Sequence, residues 1–530
     1  MNTIQFPQNR LTSALLRTLP LLGVLLIWIL LSIIFAEIRV IPGPFAVVQA
    51  FIHDLSIYGT NVAATLSVAT VGFCIGNAAA IILGILFVQV TWAERLLFRI
   101  AVASFCVPLV AIAPILVVIL PGDGPKQALA ALSVFFTTLI AVVLGLRSAD
   151  PTSIHALRSL GCNRWNVLVK IRLFAMLPSL FAGLKIAAPA ALLGAIIGEY
   201  LGSSQGLGVM LVQAQSAFQV PRTWAVATVM SLLAGLSYCV FGLIGRLATP
   251  WASQDVTLNG VALAPAKQRS FLASAAISLI GALGSAIIVI AAWYGLIAAF
   301  NLNHYFAKTP LDVLQFVTTA PDATGNTERL WNGILITLGD AALGFLFGTI
   351  AATIVALLIV AFPVFERTVM PLAIALRSVP LVAMTPLLAL IFGRGILGVT
   401  VIVSIVTFFP TLINVVVGLR SAPILATDVV RSLGGSNALA TRKVRLLYAL
   451  PGFFAAVRIA VPGALAGATL AEWLATGTGI GAMLVQDYAS SRFGALWAES
   501  VAIVLLSALL YAAIGLLERP ITKHFAVATE

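Results

Sequence analysis

Charge is scarce in this sequence. Asp, Glu, Lys and Arg make up 9% of its 530 residues against 61% hydrophobic residues, and the mean hydropathy is +1.09. A single soluble core of this length could not hide so much apolar side chain, so a water-soluble globule is excluded and the solvent is lipid. Cysteine and histidine are equally sparse. Cys74, Cys106, Cys162 and Cys239 stand singly, as do His53, His155, His304 and His524, without ligand-like spacing. That excludes a disulfide framework and a metal cluster, and leaves the cysteines as packing residues. No Gly-x-x-x-x-Gly-Lys-Ser/Thr stretch occurs, so the chain cannot hydrolyse ATP by the P-loop route. Neither an activated nucleophile nor a paired-carboxylate site is visible, so no enzyme and no cofactor is expected.

What the sequence does have is long apolar runs. A hydrocarbon layer of about 30 Å needs about 20 apolar residues per helix, and such runs recur along the whole chain. Residues such as Leu21 to Ala36 are apolar on nearly every face, which fits a helix and not the alternating strand of a barrel. That first run follows a basic tail (Arg10, Arg17) and has no small-residue cleavage site after it, so it is expected to be a retained span and not a signal peptide.

A direct repeat organises the chain at a shift of 272 to 273 residues. VPLVA at Val107 recurs at Val379, GLRSA at Gly145 recurs at Gly418, RSLG at Arg158 recurs at Arg431, and MLVQ at Met210 recurs at Met483. The expected fold is an all-α polytopic membrane protein of two direct-repeat six-helix domains, about 12 transmembrane helices in all. The spans fall near 20–38, 62–88, 98–120, 128–146, 176–198 and 224–245, then 274–299, 333–361, 368–393, 397–418, 449–471 and 497–517. The domains are 1–247 and 273–530, joined by a polar cytoplasmic linker at 248–272. An even number of spans brings each half back to the side it started from. With the termini inside, Lys and Arg are about three times as frequent in inner as in outer segments, the direction the positive-inside rule requires. The formal charge of +12 is therefore an effect of topology, and no nucleic acid partner is expected.

The longest inner loop of each half lies between its fourth and fifth spans, from Asp150 and again from Pro423. Ile154, Leu157 and Leu160 fall at helical spacing, with His155, Arg158 and Ser159 on other faces, and Gly161 is suited to the positive φ that ends a helix. Val430, Leu433 and Gly434 repeat the pattern. A helix, a glycine break and a second helix are expected in both copies.

These loops resemble those of the permeases of binding-protein-dependent ABC importers, which carry a Glu-Ala-Ala, a Gly after three more residues and an Ile after nine more. The spacing fits at His155, Ala156, Leu157, Gly161 and Ile171, and again at Asp428, Val429, Val430, Gly434 and Val444. The acidic position survives only as Asp428, and the family's proline after the Ile gives way to Phe174 and Leu447. The resemblance implies that each loop, with Arg158 and Arg431 among its residues, is a coupling helix docking in a cleft of a separate ATPase. An ordinary basic inside loop is the plainer alternative, and occurrence in both halves speaks against it. The segments from Gly198 and from Ala471 look like the nitrate, sulfonate, taurine and pyrimidine-precursor branch of these permeases. The implied partners are two ABC ATPase subunits, a periplasmic or lipid-anchored solute-binding protein and membrane lipid. The implied location is the bacterial inner membrane, with both termini cytoplasmic. A fused iron-importer permease and an ion-coupled secondary transporter are the rival readings.

Residues of a solute path are sought among groups costly in lipid. Asp340 and Arg377 occur in the second half only, where the first has Val68 and Phe105, and either pair with each other or meet an anionic solute. Glu199 and Glu472 are expected at the membrane boundary, beside Gly-rich segments suited to an outer turn; a structural loop and a substrate gate are both open. Pro108, Pro114, Pro380 and Pro386 match across the repeat and would interrupt helices beside a cavity or simply kink them. Lys185 and Arg458 match near the inner end of span five, where snorkelling or a contact with the loop is expected.

Overall fold

The computed structural model describes residues 40–252, 271–362 and 381–526, with parts of 23–36 and 365–373. Among the described residues all regular structure is helical. The first half holds α1 (Pro44–His53), α2 (Leu55–Gln89), α3 (Thr91–Cys106), α4 (Leu109–Ile119), α5 (Gly124–Arg147), α6 (Pro151–Ser159), α7 (Arg164–Tyr200), α8 (Leu207–Ser216) and α9 (Val220–Ala248). The second repeats the order with α10 (Phe271–Ala299), α11 (Pro310–Thr318), α12 (Ala323–Ala361), α13 (Leu381–Phe392), α14 (Ile396–Arg420), α15 (Ile424–Ser432), α16 (Asn437–Thr476), α17 (Gly479–Ala489) and α18 (Phe493–Ala526).

Eight of these helices are long and apolar enough to cross a membrane, and α3 with α4 makes a ninth as a bent pair. Three expected spans remain: 20–38 and 368–393 lie partly outside the described residues, although residues 28–34 are helical, and 274–299 falls on α10, where Leu283–Ala299 is a shorter apolar helix. The expected span 98–120 is interrupted at the first of its prolines. It breaks at Val107–Pro108 and turns through 99°. Proline pushes the residue before it out of the helical region, and Val107 is extended at φ −74°, ψ 116°.

In each half three helices form the centre: α2, α5 and α7, and their equivalents α12, α14 and α16. Lipid is as apolar as leucine, so helices cohere there through close backbone approach rather than hydrophobic sorting. Gly72 and Gly76 of α2 lie directly on α5 at Gln127 to Ala131, where an added Cβ would strike backbone. Gly344 and Gly348 sit likewise on Thr400 to Thr407 of α14. The large exposed side chains, such as Ile82, Leu236, Ile354 and Leu509, point outward from the bundles.

The repeat extends to the first helix of each half. Trp28 stacks on Trp224 with centroids 5.8 Å apart, and Trp293 stacks on Trp497 at 5.1 Å. Their indole N–H groups donate to Pro42, Val40, Lys308 and Phe306 carbonyls at 2.9 to 3.2 Å.

Candidate translocation and coupling site

Each half carries the expected helix, glycine break and second helix. Asp150 caps α6, accepting the Ser153 N–H at 2.9 Å and the Thr152 N–H at 3.2 Å. The Ser153 hydroxyl and these amides hold its carboxyl below the usual carboxylate range. Gly161 and Gly434 follow with φ +80° and +82°, a conformation only glycine adopts cheaply. Asn163 and Ser436 then cap the next helices, accepting from Asn166 and Leu439. His155, Ala156, Arg158 and Gly161 are all exposed, as are Asp428, Arg431 and Gly434. Arg431 pairs with Asp428 at 3.1 Å and donates to Asn437 at 3.0 Å, bracing α15 against the start of α16.

Periodicity in the sequence grouped Leu160 with Ile154 and Leu157, and the structure separates it. Leu160 and its equivalent Leu433 occupy the C-caps, 79% and 83% exposed. Ile424, Leu425 and Val429 add further exposed apolar surface on α15. Behind the loops, matched ion pairs join Arg147 to Glu94 at 2.5 Å and Arg420 to Glu366 at 2.6 Å. Lys185, expected to snorkel or to touch the loop, lies 4.3 Å over the Tyr238 ring, and its match Arg458 lies 4.5 Å over Tyr511 and pairs with Glu518 at 3.2 Å.

From each loop one helical segment runs the length of the bundle. α7 has 37 residues and α16 has 40, about 55 to 60 Å at 1.5 Å per residue. Both contain a π-turn in the same register, Leu168–Arg172 and Thr441–Arg445, and both contain matched prolines, Pro178 and Pro189, Pro451 and Pro462.

Glu199 and Glu472 lie at the far ends of these segments. They are not at a surface: the residues are 2% and 0% exposed. Each folds onto the first turn of the next short helix. Glu199 Oε2 accepts the Gly208 N–H at 2.7 Å, Thr65 accepts from Leu207 at 2.9 Å, and Asn61 accepts from Gly206 at 2.7 Å. Glu472 Oε2 accepts the Gly481 N–H at 2.8 Å and the Thr337 hydroxyl at 3.0 Å, while Thr337 accepts from Ile480 at 2.9 Å. A helix starting away from water has free N–H groups, and a carboxylate there satisfies both hydrogen bonding and the helix dipole. A Cβ on Gly206 or Gly479 would collide with the carboxylate.

The halves meet along α4 and α13, each of which has residues in both large cores. Ala111 and Ile115 pack with Leu465, Ala468 and Ile480 of the second half. Val382 and Leu387 pack with Ile196, Leu207 and Met230 of the first. The Ser500 hydroxyl donates across the seam to the Ala111 carbonyl at 2.8 Å. Pro108 caps α4 and Pro114 and Pro386 lie within α4 and α13, so the prolines do border the seam. Pro380 and Arg377 lie outside the described residues. Asp340 is 8% exposed, one turn from Thr337, and among the described residues no cation stands within ion-pair distance of it. Sequence reading missed a one-sided charge cluster: Arg329 grips Asp487 at 2.9 and 3.1 Å, Arg492 joins the same carboxylate, and Glu499 is 4.0 Å from Arg329. In the first half Arg222 pairs with Asp54, beside His53.

Two stretches of the chain, residues 76–257 and 344–523, match the model of the binding-protein-dependent transport system inner membrane component. Together they cover more than half of it. The chain belongs to this family. It is a fused ABC importer permease, a multi-pass inner membrane component and not an enzyme, and it works with an ATPase and a solute-binding protein. The permease is 29% identical over 250 residues to the formylaminopyrimidine transport permease protein ThiX of Halalkalibacterium halodurans, covering 47% of this chain and 100% of that protein. It is 30% identical to the riboflavin transport system permease protein RibX of Chloroflexus aurantiacus, over 40% of this chain and 80% of that one. It is 28% identical to a putative aliphatic sulfonates transport permease protein SsuC of Escherichia coli, over 43% of this chain and 89% of that one.

Proposed function

We propose that residues 1–247 and 273–530 act as the two permease units of one importer, with the solute path along the seam between them. Two ATPase copies dock at α6 and α15 on the cytoplasmic face, where both termini also lie, and lipid surrounds the bundle. The observation that carries this reading is the paired exposed element: a short helix, a glycine at φ near +80°, and a capped helix that continues without interruption to the seam. Leu160 and Leu433 at the C-caps are the apolar contacts such a docking cleft would bury, and Arg158, Asp428 and Arg431 orient the helices in it. ATP-driven closure of the two partners pushes both loops, and α7 and α16 carry the push to the far end of the seam.

The solute on this reading is small and polar, of the pyrimidine-like or sulfonate-like classes named for the relatives, with nitrate and taurine within the same branch. Asp340 and Pro108 border the path on this reading, Arg377 and Pro380 are candidates for it from the sequence alone, and Glu199 and Glu472 hold its far end in shape. The binding protein sets the choice of solute, so thermal-shift screening of that partner against pyrimidines, sulfonates and nitrate identifies it. Co-purification of the permease with its ATPase, followed by uptake into proteoliposomes, tests the reading. Uptake that requires ATP supports it, whereas uptake driven by an ion gradient without ATP removes it.

A further inference from the structure

We propose that Tyr200 and Trp473 are the gate that closes the solute path at the end opposite the coupling helices; this rests on the importer reading above. The two residues are equivalents across the repeat, yet they touch, in an edge-to-face contact with ring centroids 5.8 Å apart. Equivalent residues of two related halves meet only on the axis that relates them, so this contact marks the pseudo-two-fold axis itself. A path between two matched halves runs along that axis, and a ring from each side closes it.

The surroundings suit a closure. Leu116, Val117, Leu201, Val382, Leu387 and Leu470 from both halves belong to the same apolar cluster. The neighbouring carboxylates Glu199 and Glu472 are turned away and engaged with α8 and α17, so the residues beside them are positioned firmly. Mechanical connection is direct. Tyr200 ends α7 and Trp473 lies in the last turn of α16, the two segments that begin beside Gly161 and Gly434. Displacing both loops moves both rings without any intervening hinge loop. A single edge-to-face contact is weak enough to break and remake in every cycle.

The arrangement is not symmetric in detail. Trp473 stands on a π-turn, Glu472–Thr476, whereas α7 stays α-helical to Tyr200. Single π-turns inside α-helices are frequent at functional sites, which fits the place of Trp473.

The test uses the full permease–ATPase complex carrying Tyr200→Cys and Trp473→Cys, with Cys74, Cys106, Cys162 and Cys239 each changed to Ala. A short bis-methanethiosulfonate should bridge the pair in the nucleotide-free complex and at least tenfold less when the ATPase is trapped with vanadate. Bridging should stop ATP hydrolysis, and reduction should restore it. Replacing both rings by Ala in the otherwise native chain should raise leakage of entrapped radiolabelled taurine at least tenfold. Equal bridging in the two states, hydrolysis at full rate while bridged, or unchanged leakage of the alanine variant overturns the gate. An unmodified complex that fails to assemble or to hydrolyse ATP overturns the importer reading instead, and the gate with it.

Discussion

At the scale of single residues, the two halves treat the same buried polar positions differently. Asn77 accepts from the Thr138 hydroxyl at 2.5 Å between α2 and α5, while at the matching place the second half has Thr349 and Thr411, neither hydroxyl bonded. Asn77→Thr should therefore reproduce the second-half arrangement and cost about 1 kcal/mol, read as a small fall in the melting temperature of the detergent-solubilised protein. Glu472→Ala removes the acceptor for both the Gly481 N–H and the Thr337 hydroxyl, a loss of about 1–3 kcal/mol. Glu472→Gln keeps an acceptor oxygen and should lose less than half as much. Equal losses would show that the negative charge, not the hydrogen bonding, holds α17. The spacing of the glycines was visible in the sequence, and so was the pairing of the two glutamates. That each carboxylate folds back nine residues onto its own chain was not, because nothing local tells a helix-capping Glu from one facing a path.

At the scale of elements, the loops between the fourth and fifth spans were readable because helix, glycine and cap are local signals, given twice. The outward turn of Leu160 was not readable: helical periodicity continues through it, and only the C-cap geometry at φ −83°, ψ 11° sets it apart. Leu160→Glu together with Leu433→Glu should leave the melting temperature within a degree or two, since both side chains are solvent-exposed. The same change should weaken ATPase co-purification at least tenfold, because it puts two charges where a docking cleft expects apolar contact. At Val107–Pro108 an interruption was legible but its size was not. Proline in an apolar run permits anything from a mild kink to a break, and the 99° turn is chosen by α4 entering a core shared with the other half.

At the scale of the whole molecule, the repeat predicted two halves but not how they join. The joining depends on α4 and α13 each contributing to both cores, a long-range property that no window of sequence carries. This shared packing makes a mechanical prediction. A protease site inserted within residues 253–270 should cut the chain without parting it, and the two fragments should elute together by size exclusion in mild detergent. Separation on cutting would mean that the tether, and not the seam, keeps the halves paired.

The one-sided cluster of Arg329, Asp487, Arg492 and Glu499 shows what covalent fusion makes accessible. In an assembly of two identical copies, every new charge arrives twice, once on each flank. Once one gene encodes both copies in tandem, each can change alone, so a lineage can try an acid or a base on one flank while the other stays neutral. Divergence between the flanks then becomes a record of selection acting on each separately.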